Sequence, residues 1–189
     1  MNITTFDFGN GPVPAHKHAY GGGWVADTAK VADTVYVASD AKVFDNARVY
    51  GDARVFDDAR VFGNARVFGN AQVYGNAEVF DNARVYSNAR VAGNALVSNK
   101  ARVFDNAWVS GDAKVYGKAR VSGTALVSGY AQVYDNAWVS GTALVYGNAQ
   151  VSDNAWVSGD AHVSGNDEVA EEDMFIEMNG KRYNLVEVE

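Results

Sequence analysis

The sequence predicts an all-β fold, a parallel solenoid wound from six-residue strand-and-corner units, and three observations predict it. Valine occupies every sixth position from Val25 to Val169, twenty-five times without a miss. Alanine stands four residues after each valine from Ala41 to Ala161. Between them the unit reads Phe/Tyr/Ser, then Gly/Asp, then usually Asn/Asp, as in the consecutive units 65–70 and 71–76. A helix fits poorly, because six does not match a 3.6-residue turn and Val, Gly and Asn recur in every unit.

The N-terminal segment, residues 1–24, stands outside the repeat and holds Phe6, Phe8, Pro12, Pro14, His16, His18, Gly21, Gly22, Gly23 and Trp24. A solenoid exposes unpaired strand edges at its ends, so this segment is expected to fold over the first coil as a cap. Both prolines lie here, outside the hydrogen-bonded ladder that proline would interrupt. In the repeat, residues 25–169, side chains alternate along a strand, so the residue before each valine, the valine, and the residue after it point out, in and out. Gly/Asp followed by Asn supplies the bend, since these residues tolerate left-handed backbone conformations. Alanine is the small inward residue that lets the corner close. Residues 170–189 form an acidic linker and then two alternating segments around Asn179-Gly180, a strong β-hairpin signal.

The Val and Ala columns over residues 25–169 resemble the hexapeptide-repeat family. The uninterrupted run and the Gly-Gly-Gly-Trp approach at 21–24 are similar to hexapeptide-repeat proteins of bacteriophages and bacteria. The resemblance implies a left-handed parallel β-helix with three units per coil, a triangular prism of about eight coils rising ~4.8 Å each. The usual glycine directly after the aliphatic residue is here one place later. The resemblance also implies roles as a structural component, or as an inhibitor that binds a host defence protein or its nucleotide messenger.

Three units per coil put residues 18 apart in one column. Arg48, Arg66, Arg84, Arg102 and Arg120 then form one outward ladder, continued by Trp138 and Trp156. A second column reads Arg54, Gln72, Arg90, Trp108, Leu126, Leu144, His162. After the valines, Phe44, Phe62 and Phe80 stack on one side, Tyr50, Phe68, Tyr86 and Phe104 on another, and Phe56 and Tyr74 on the third. Aromatic ladders stabilise a solenoid by packing on themselves. The arginines are candidates for an anion or nucleotide surface. Trp108, Leu126, Trp138, Leu144 and Trp156, with Phe62, Phe68 and Phe80, are candidates for an oligomer or partner interface. Relatives of the fold imply a trimer or dimer, and a protein partner is expected.

Composition narrows the function. Without cysteine there is no disulfide or thiolate metal site. No apolar run approaches a membrane span, and a soluble cytoplasmic protein is expected. The net charge of −7 is concentrated at the C-terminus: residues 167–189 carry −6 and residues 41–166 carry +1. A globally basic nucleic-acid binder is therefore not indicated. Enzymes that share the resemblance are acyltransferases, with a histidine near an inserted loop, and γ-type carbonic anhydrases, with three histidines on zinc. Val25–Val169 has no insertion, and the three histidines are His16, His18 and the distant His162. No enzyme, metal or cofactor is expected. His16 and His18, placed i, i+2 on a strand, would share one surface face, and with Trp24 they are the loop candidates for a partner.

Overall fold

The computed structural model describes the backbone of residues 4–170, 175–178 and 181–184, and the side chains of 4–170. Three strands open the chain: β1 (Thr5–Asp7), β2 (Pro12–Lys17) and β3 (Trp24–Ala26). Twenty-four two-residue strands follow, from β4 (Lys30–Val31) to β27 (Glu168–Val169), each ending on a repeat residue of the valine column. Each strand from β3 to β24 pairs in parallel with the strand 18 residues on, as Arg66 with Arg84 and Val67 with Val85. Three flat sheets result, one of eleven strands and two of eight, which gives a triangular solenoid of about eight coils. We name them by their outward columns: the first face runs from Trp24 to Glu168, the arginine face from Lys30 to Trp156, and the third face from Tyr36 to His162.

The inward columns form one continuous core in which most valines and alanines are fully buried. Burial stabilises the fold by about 1.5–3 kcal/mol per valine. Val31 is the one valine of the repeat that is not buried. Backbone hydrogen bonds run in one sense along the axis. Arg66 N donates to Ala83 O (2.9 Å) and Phe68 N to Val85 O (3.0 Å), and the same pattern repeats coil after coil. Each coil's donors therefore point toward the C-terminal end and its acceptors toward the N-terminal end. A first coil is left with open carbonyls.

The corners assign the turn residues more sharply than the repeat does. Positive φ falls on the Gly/Asp slot, for example Gly63 at 66° and Asp81 at 56°. The asparagine that follows takes no left-handed conformation; its role is lateral. Asn70 Nδ2 donates to Asn88, and Asn88 Nδ2 to Asn106, in a ladder along the edge. Asp45, Asp57, Asp81 and Asp105 each accept from the backbone N–H one coil on. An aspartate thus offsets its left-handed strain with a hydrogen bond that glycine cannot make.

The N-terminal arm does not lie across the whole first coil. β2 pairs antiparallel with β3, and β1 pairs antiparallel with β2, so the arm extends the first face. It then turns back over the outer surface. Phe8 stacks on Phe44 at 4.8 Å and Phe6 on Trp24 at 4.4 Å, and Phe8 and Phe44 are buried. At the other end, β28 (Phe175–Met178) pairs antiparallel with β29 (Lys181–Asn184), as the hairpin signal predicts. The Asn179-Gly180 turn and most of the acidic linker lie outside the described residues.

Outward side chains also couple diagonally, 16 residues apart. Tyr116 donates its hydroxyl to Gln132, and Tyr134 to Gln150. Burial, then the neighbouring Tyr134 and Asp135, push the Tyr116 phenol above its ordinary value of 10.0. A folded pKa above the unfolded one favours the folded state fully below pH 10.0, and that contribution is lost as pH rises through the folded value. Alkaline unfolding followed by circular dichroism should therefore show a shallower loss of stability in Tyr116→Phe than in the parent.

Candidate binding faces

The arginine column forms as a register of strand pairs. Arg48, Arg66, Arg84, Arg102 and Arg120 lie directly beside one another, preceded by Lys30 and followed by Trp138 and Trp156. The column after the valines carries Tyr50, Phe68, Tyr86 and Phe104, stacked at 4.8–5.0 Å with interplanar angles of 2–7°. Among the described residues no carboxylate forms an ion pair with this ladder; the ion pairs are His16–Asp27 and Arg60–Glu78. Like charges placed directly opposite are destabilising, and among the described residues no ion pair offsets that in this ladder. Lys100 adds to it: Asn82, Arg84, Lys100 and Arg102 line a cleft of about 270 Å³.

The Trp end is built on the same diagonal. Trp138 Nε1 donates to Ser122 Oγ (3.0 Å) and Trp156 Nε1 to Ser140 Oγ (3.1 Å), and the two indoles stack at 5.4 Å. Where the post-valine aromatic is replaced by serine, an indole from the next coil lies toward that position. Self-packing leaves Trp138, Leu126 and Leu144 half-buried, whereas Trp108 is 41% and Trp156 52% exposed. Trp108, Leu126 and Leu144 are stacked on the third face, between Arg90 and His162. Phe62 and Phe80 stack on the first face, and Arg60 covers the Phe62 ring. Phe68 is inside its own ladder.

The histidine expectation is corrected. β2 ends at Lys17, so His18 is not on the strand that carries His16. His16 is exposed and meets Asp27 at 2.8 Å. His18 is buried, and its Nε2 donates to Val35 O at 2.9 Å. The strand ends before His18, and the turn it opens, closed by Gly22 N donating to His18 O at 3.0 Å, lets the ring meet the third face's edge at Val35 O. His18→Ala should cost about 1–3 kcal/mol, because a first-coil carbonyl loses its donor; urea unfolding measures it. Trp24 fastens the arm, lying between Phe6 and Lys17 Nζ, which is 4.5 Å from its ring. His162 is exposed at the far end of the third face. Among the described residues no three metal-ligating side chains converge.

Sequence reasoning missed the first rungs. After Val25, Val31 and Val37 stand Ala26, Ala32 and Ala38, where later coils carry rings. On the first face, Phe8 of the arm stacks on Phe44, beside Ala26. On the arginine face, Ala32 and Tyr50 line a concavity of about 640 Å³ with His16, Lys30, Arg48 and Arg66. The three consecutive small residues were the available signal.

This geometry defines a β-solenoid repeat protein, a parallel β-helix with three flat faces. The YdcK beta-solenoid repeat is the family whose model matches, at residues 47–61, 59–75, 71–87, 131–147 and 149–165, all within the stacked coils. No curated protein matches the chain. Among the described residues no helix is long and apolar enough to cross a membrane.

Proposed function

We propose that the protein is a non-enzymatic, cytoplasmic solenoid scaffold whose outer faces bind a protein partner and further copies of itself, as a trimer or dimer. One observation carries this reading: a single face presents an in-register cationic ladder with no ion-pairing carboxylate among the described residues, then an indole ladder ending in a half-exposed Trp156. Each feature is a liability for an isolated chain and suits a surface that becomes covered.

Light scattering on the purified protein tests it. The expected result is a defined oligomer that dissociates when Trp138→Arg and Trp156→Arg extend the arginine ladder through the indole patch. A monomer at all concentrations, with no change in the double variant, would rule out self-association through this patch. A second reading, binding of a polyanion or nucleotide, is favoured by the same arginines, which have no carboxylate partner among the described residues. It predicts retention on a heparin column at low salt, with Arg66→Ala/Arg84→Ala eluting much earlier.

A further inference from the structure

The three faces differ at the N-terminal edge, where the first coil offers its carbonyls. On the third face both acceptors are filled: His18 Nε2 donates to Val35 O and Gly23 N to Val37 O. On the first face, His18 N donates to Gly23 O, and Val25 pairs with His16 of β2. On the arginine face, β4 pairs only with the strand at Arg48–Val49. Among the described residues no donor reaches Ala29 O or Val31 O, the two acceptors the repeat pattern would give to a preceding strand. Val31, beside them, is the one repeat valine left partly open.

The side chains around this edge are incomplete in the same way. Tyr50 stacks on Phe68 on one side, but its other neighbour in the column is Ala32, and Tyr50 is 41% exposed. On the first face the ring on the corresponding side of Phe44 comes from the arm: Phe8 stacks there, and its carbonyl accepts from Arg60 Nη2 at 3.1 Å. Arg66 holds the position on the arginine face that Arg60 holds on the first, one repeat unit on. Lys30, Arg48 and Arg66 surround the cleft and have no carboxylate partner among the described residues.

We propose that the open edge of β4 is a docking site for an extended acidic peptide carrying an aromatic residue, which adds as a strand to the arginine face. The peptide's N–H groups fill Ala29 O and Val31 O, its ring lies over Ala32 against Tyr50, and its carboxylates meet Lys30, Arg48 and Arg66. The edge carbonyls select against a nucleotide. They would repel phosphate oxygens, and a base amine could satisfy one of them, whereas strand addition supplies N–H donors to both at the right spacing. The proposal narrows the binding-surface reading above to one edge and one ligand class, and it does not involve the indole patch.

The test uses the full chain and a fluorescein-labelled, end-blocked peptide Glu-Val-Phe-Val-Glu, whose outward side chains read acid, ring, acid in either direction. Fluorescence anisotropy should show micromolar binding that weakens steeply with salt. Replacing Phe by Ser should weaken it about tenfold, and Lys for Glu or N-methylation of the backbone should abolish it. Ala32→Trp, which fills the empty rung with the chain's own ring, should block the peptide without lowering the melting temperature, and Arg48→Glu should block it through charge. Equal binding of the Lys peptide, insensitivity to N-methylation, tighter binding of ATP or tripolyphosphate than of the peptide, or no binding at millimolar peptide would each overturn the proposal. Failure here with an intact oligomer in light scattering removes the edge site alone; loss of the oligomer with peptide binding retained removes the indole interface alone.

Discussion

Val85→Asp is expected to abolish cooperative folding. Val85 is fully buried in mid-solenoid, with strand neighbours Val67 and Val103 on either side. The substitution removes about 1.5–3 kcal/mol of burial and places a carboxyl where no donor is available, for a total of roughly 5 kcal/mol or more. That is comparable with the whole stability of an ordinary domain. Because coils contact only their neighbours, the break should split the solenoid into two weakly stable halves. Val85→Ala should cost about 2–3 kcal/mol, and Val169→Ala, whose strand pairs on one side only among the described residues, distinctly less. Urea denaturation followed by circular dichroism measures all three. A Val85→Asp chain within about 1 kcal/mol of the parent would contradict the inward register.

The second large effect is a matched pair of glycines. Gly123 and Gly159 have nearly the same backbone, φ 67° and 66°. A Cβ on Gly123 would meet Gly141 O at 2.7 Å and Gly141 N at 2.9 Å, whereas one on Gly159 meets nothing within 4 Å among the described residues. Both Ala variants carry the left-handed cost of about 1–2 kcal/mol. Gly123→Ala adds a backbone clash of about 1–3 kcal/mol. The difference between the two isolates coil-on-coil contact from local conformation. Gly123→Asp should be milder than Gly123→Ala, since its carboxylate can accept from the next N–H as Asp105 does from Gly123. Equal melting temperatures for Gly123→Ala and Gly159→Ala would refute the stacking account.

The sequence alone determined the period and the inward valines and alanines, while the columns 18 residues apart, with their arginine, tryptophan and aromatic ladders, rested on the three units per coil that the family resemblance implies and that the strand register bears out. These follow from translation: once one unit is a strand and a corner, every later unit repeats its environment, and sequence spacing becomes distance. It did not show that the corner asparagines ladder through their amides, or that indoles reach diagonally to serines one coil back. Those depend on how neighbouring coils are offset. Least legible was the N-terminal arm, where the period stops. Only the tertiary structure decided that His18 and Gly23 fill the third face's first carbonyls, that β2 fills the first face's edge, and that Ala29 O and Val31 O have no donor among the described residues. A nonperiodic segment has no repeat to fix its path, so which edges it covers depends on where the folded chain takes it.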